Sequence, residues 1–145
     1  MTVLPPLEMI RQHKAMYLGD EEPSGRILSI GLADCALVSG ASRVELLRLP
    51  ESWTGVLADA DWITPNVQQH NGRSLEHAFQ AMIPLRGGRP NQIRFEVVVA
   101  AFSTNVSVKS GDSWIAIAGD LPPRDVRDRV TESLFAVAFR AKADS

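Results

Sequence analysis

The residues of this chain able to do chemistry are few and scattered. The histidines are His13, His70 and His77. The last two stand seven positions apart and span a loop into a helix. That is not metal-ligand spacing, no cysteine or glutamate set accompanies them, and no metal is expected. Cys35 sits in the most apolar stretch, where a free thiol behaves as a small hydrophobe. No Ser-His-Asp set, phosphate-cradling P-loop or zinc pattern is present. Acidic side chains remain: Asp34 inside the apolar stretch, and Asp59 with Asp61 in an acidic turn. Such aspartates are more often helix caps and turn residues than catalysts. Arg86, Arg89 and Arg94 form a small basic cluster of the kind a solvated loop carries, and Trp53, Trp62 and Trp114 are spaced as packing residues.

These groups sit on a chain of 145 residues, 45% hydrophobic and 22% charged, enough for one domain over 1–145 with its own core. A net charge of -2 gives no general drive toward nucleic acid, so direct nucleic-acid binding is not expected. One cysteine excludes an internal disulfide and suits a reducing compartment. No apolar run approaches the roughly 18–20 residues of a membrane span, and the first residues lack signal-peptide regions. A soluble, cytoplasmic protein is expected.

The organising stretch is Ile27 to Gly40, ILSIGLADCALVSG. Being apolar almost all round, it predicts a buried helix, with Ile30, Ala33 and Leu37 on one stripe and Leu28, Leu32 and Cys35 beside it. An N-terminal arm over 1–6, stiffened by Pro5-Pro6, precedes a short helix from Leu7 to about His13 and a compact turn closing on Gly19-Asp20. Arg43 to Leu49 reads as a strand ended by Pro50, Trp53 to Ala60 as a weaker one, and Val67 to Gly72 as a polar loop. Leu75, Ala78, Phe79 and Met82 recur at helical spacing. Ile93 to Phe102 fits strand or buried helix equally. Asn105 to Lys109 and Ser113 to Ala118 flank Gly111 as a hairpin. A final helix is expected from Arg124 to about 142, with Val126, Val130, Leu134 and Val137 inward. Helices alternating with hairpins predict an α+β fold: a two-layer sandwich, its mixed, mostly antiparallel sheet carrying helices on one face.

In order and spacing these segments resemble the ATPase domain of the DNA gyrase B subunit, a member of the GHKL (Bergerat-fold) group. That family's Arg-Pro-Gly-Met-Tyr-Ile-Gly-Asp compares with Arg11 to Asp20, which keeps Met16, Tyr17, Gly19 and Asp20. Its Glu-Ile-Val-Asp-Asn-x-x-Asp-Glu-Ala-Leu helix compares with Ile27 onward, where Asp34, Ala36 and Leu37 match. Its Asp-Asp-Gly-Arg-Gly-Ile-Pro falls on Asp59 to Pro65, its Gly-x-Ser helix on Gly72 to Gly88, and its Val-Val-Asn-Ala-Leu-Ser on Val98 to Ser103. The resemblance covers roughly residues 7 to 123, and it implies that Arg94 to Phe102 is helix.

Family hydrolysis needs a general-base glutamate and a magnesium-holding asparagine. Carried over without gaps, these fall on Ile27 and Gly31, whose side chains do neither. The glycines that let backbone approach the nucleotide become Asp61 and Ile63, and the glycine-rich lid shrinks to RPNQIRFE. One function-bearing position survives, Asp59, matching the adenine-binding aspartate. Trp62 and Asp34 are expected to line the old pocket, Trp62 plugging it. The resemblance therefore implies a non-catalytic domain serving as a protein-interaction or regulatory module, with a protein partner or a second copy as its target. No cofactor is expected. The alternatives are an adenine-nucleotide sensor binding ATP or ADP through Asp59, and a divergent ATPase completed by another subunit.

Overall fold

The computed structural model describes residues 5–68, 74–89 and 92–144. His70, Gly72, Arg73 and most of the expected polar loop lie outside them, as does the greater part of the N-terminal arm. Helix α1 (Pro6–Gln12) starts inside that arm, because Pro6 suits a first helical turn. It is followed by α2 (Lys14–Leu18), closed by Gly19 at φ +62°.

Helix α3 (Gly25–Val38) is the long helix. Ser24 caps its start, its side chain accepting from the Ile27 N–H at 3.3 Å. Its end is a Schellman motif: Ala41 N–H donates to Ala36 O and Gly40 N–H to Leu37 O, with Gly40 at φ +114°. The buried side is Leu28, Leu32, Cys35 and Ala36, whereas Ile30, Leu37 and Val38 are exposed. The expectation of a helix buried rather than laid on a surface is thus corrected. A helix apolar all round carries no internal signal of which side meets the sheet, and α3 lies on the sheet by one face.

Strands β1 (Val44–Arg48) and β2 (Thr54–Ala58) form a hairpin across a 3-10 turn at Pro50–Ser52. Next come α4 (Thr64–Gln68), which occupies the start of the expected polar loop, and α5 (Leu75–Ala78), a single turn where a longer helix was expected. Helix α6 (Glu96–Ala101) resolves the ambiguous stretch as helix. It leads into β3 (Ser103–Ser110) and β4 (Ser113–Ala118), joined through Gly111 at φ +59°.

The expected C-terminal helix over about 124–142 is overturned. Helix α7 (Arg124–Asp128) stops after five residues, and Phe135–Ala141 is a strand, β5. The sheet order is β1-β2-β5-β3-β4, and every described pairing is antiparallel, so β5 is the central strand. Phe135, Val137 and Phe139 face the core beneath α3 and α6, while Ala136 and Ala138 face Leu57, Val126 and Val130. A strand covered on both sides reads as a continuous apolar run, which mimics a buried helix. Leu134, expected inward, is 60% exposed.

The molecule is accordingly an α+β two-layer sandwich, with α1, α3 and α6 on one face and the short α7 on the other. Each fully buried leucine of α3 contributes roughly 1.5–3 kcal/mol to that layer. Among the described residues no helix is long and apolar enough to cross a membrane.

Candidate functional site

The positions singled out in the sequence do not converge. Asp34 is exposed on α3. Asp59 is exposed just after β2, where its Oδ1 accepts from the Ser42 and Arg43 N–H groups at 3.1 Å each. The Arg43 amide bond in particular holds its carboxyl below the ordinary aspartate range. This is a turn-capping role that ties the entrance of β1 to the exit of β2. Asp61 behaves likewise, its Oδ1 accepting from Ile63 N–H at 2.8 Å and Thr64 N–H at 2.9 Å to start α4.

Trp62 lies in the core, its ring 4.9 Å from that of Phe135 and nearly perpendicular to it at 78°. Asp59 borders an open groove with Leu37, Arg43 and Leu134, which neither Trp62 nor Asp34 lines. Ile27 is half-buried. Gly31 lies under the Phe95 ring, so closely that a β-carbon there would stand 2.4 Å from Phe95 Cζ. The space a longer side chain would need at position 31 is filled by an aromatic ring.

Two polar arrangements were not legible in the sequence. The first is an ion pair sealed in the core: Arg94 Nη2 lies 2.6 Å from Glu96 Oε1, with the residues 2% and 0% exposed. Arg94 also donates to Ser39 Oγ at 3.1 Å and to the Trp62 carbonyl at 3.2 Å, and the Cys35 thiol donates to Glu96 Oε2 at 3.2 Å. Burial, and then the Glu96 charge, push the Cys35 thiol far above its ordinary range, so it is no nucleophile. Arg94 had looked like part of a solvated loop. Its position at the edge of the apolar run VVVAAF was the available hint.

The second arrangement is a groove of about 590 Å³ between the start of α3, strand β1 and the turn after it. Ser24, Arg26, Arg48, Thr54 and Asp144 supply its polar groups, and Leu46, Leu49 and Trp53 part of its apolar wall. Asp144 Oδ2 accepts from the Gly25 N–H at 2.7 Å, across 119 positions of sequence. Glu51 at φ +58° and Ser52 at φ +67° form the tight turn beside it, an uncommon backbone for residues with side chains. Only Ser24-Gly25, as a helix start, could have pointed here from the sequence.

Among the described residues no group of three or more His, Cys, Asp or Glu is arranged to hold a metal ion. No protein-family model and no curated protein matches the chain.

Proposed function

We propose that this chain is a non-catalytic, cytoplasmic relative of the gyrase-B ATPase domain, acting as a protein-interaction or regulatory module. The observation that carries this reading is at Gly31. The resemblance assigns the magnesium-binding asparagine to that position, and here the Phe95 ring takes up the volume such a side chain would need. A general base is likewise replaced by the aliphatic Ile27. The element order supports the kinship: a helix into Met16–Asp20, a long helix, an acidic turn after a hairpin, and the helix α6 running into a second hairpin. A fold relationship alone confers no activity, so the reading rests on the replaced positions.

Isothermal titration with a non-hydrolysable ATP analogue, with and without magnesium, tests it. The expected result is no heat and no thermal stabilisation, followed by retention of an intact gyrase B subunit or of a second copy in a mixing experiment. Binding that magnesium strengthens overturns the reading in favour of an ATPase. Magnesium-independent binding of ATP and adenosine alike, lost in Asp59→Ala, overturns it in favour of a sensor.

A further inference from the structure

The N-terminus of α3 holds an anion that belongs to the chain itself. The Asp144 carboxylate sits on the Gly25 N–H, and position 25 has no room for a side chain: a β-carbon would stand 2.2 Å from Thr54 Oγ1 and 2.8 Å from Asp144 Oδ2. Thr54 is only 7% exposed and lines the groove, yet among the described residues its hydroxyl has no hydrogen-bond partner. A helix of 14 residues brings partial positive charge to the same point. Arg26 and Arg48 line the groove and form no ion pair among the described residues. The seat therefore offers, among the described residues, a donor without a protein partner and two exposed guanidinium groups outside any ion pair, beyond what Asp144 takes up.

We propose that this seat receives the carboxylate of an acidic peptide segment from a partner protein, and that Asp144 is its exchangeable resident in the resting chain. The seat already holds a carboxylate on a peptide backbone, and the two guanidinium groups complement further acidic charge. Leu46, Leu49 and Trp53 give the apolar side chains flanking the acid a surface that free inorganic anions cannot use. This inference rests on the interaction-module reading and names its partner class. The two fail separately: magnesium-strengthened nucleotide binding removes the module without touching the Gly25 seat, and a silent peptide removes only the seat.

The test is an amide chemical-shift titration of the full chain with a capped six-residue peptide alternating aspartate and leucine. Its asparagine-for-aspartate counterpart and inorganic phosphate serve as controls. The Gly25 and Thr54 amides should move with the acidic peptide and not with the controls. Asp144→Ala should tighten binding about fivefold or more by removing the competing acceptor, and Arg26→Gln with Arg48→Gln should weaken it about tenfold. Phosphate moving the same amides as strongly overturns the peptide assignment. Unmoved amides, or an Asp144→Ala chain that binds no more tightly than the parent, makes Asp144 a fixed helix cap and overturns the proposal. Should Asp144→Ala fail to fold, Thr54→Val carries the test: undiminished peptide binding in that variant is equally fatal.

Discussion

The two ends of α3 handle charge in opposite ways. At its C-terminal end, Cys35 and Ser39 touch an ion pair closed off from water, and each Glu96 oxygen has a donor. At its N-terminal end, a backbone amide holds Asp144 beside a hydroxyl and two arginines that have no side-chain partner among the described residues. The sealed pair cannot exchange a partner, because removing either ion strands the other in a medium that solvates it poorly. The open seat can, because water and the neighbouring cations compensate whichever anion leaves. Burial, rather than the number of charges, separates the part of the helix that fixes the fold from the part available for recognition.

The largest effect should follow from breaking the sealed end. Arg94→Met leaves the buried Glu96 carboxyl without its partner, and should lower stability by about 3–5 kcal/mol in urea unfolding. Arg94→Met with Glu96→Leu should recover most of that loss, since two apolar residues leave no stranded charge. A single variant costing under about 1 kcal/mol would mean that water reaches the pair, and the contrast between the ends would collapse. Gly31→Ala comes next, at about 1–3 kcal/mol, because its methyl group must displace the Phe95 ring. A smaller cost would mean that the ring swings away freely, which would also weaken the proposed loss of the magnesium position.

Asp59 gives a third effect, and its sign is fixed by the direction of its shift. The Arg43 and Ser42 amides hold its folded-state pKa below the unfolded value. Its stabilising contribution is therefore complete above the ordinary carboxylate range, and is lost as pH falls through that range toward the depressed folded value. Asp59→Ala should unfold at lower urea than the parent at about pH 7, and the gap between the two midpoints should narrow as pH falls through the ordinary carboxylate range. A gap that persists in acid would assign the effect to something other than the ionised carboxylate.

The sequence made visible what depends on local periodicity and turn chemistry. Ser39-Gly40 announced the end of α3, Gly111 the β3–β4 hairpin, and Pro50 the end of β1. The α+β class followed from their alternation. What it concealed depends on which faces meet. Phe135–Ala141 is apolar at nearly every position because both faces of β5 are covered, so neither a period of two nor one of 3.6 stands out. The same absence of pattern hid the orientation of α3. The Gly25 seat was beyond reach for another reason: Thr54 and Asp144 arrive from strands and turns far along the chain, and only the sheet order brings them to Ser24-Gly25.

The smallest stability effect is also the one that tests the comparison most sharply. Thr54→Val keeps the β-branched shape that suits β2 and deletes a hydroxyl that has no partner among the described residues. Removing a groove-facing hydroxyl without a partner among the described residues forfeits no hydrogen bond within the chain, so stability should hold or rise by up to about 1 kcal/mol. At a sealed site, such as the one around Glu96, deleting a donor costs stability because both Glu96 oxygens depend on the donors that Arg94 and Cys35 supply. At an open seat the same deletion costs recognition instead. Thermal unfolding and the peptide titration should therefore diverge for this variant, with an unchanged midpoint and weaker binding. A clear drop in the midpoint would show that the hydroxyl already serves the resting fold, and the N-terminal end of α3 would then be as closed as the other.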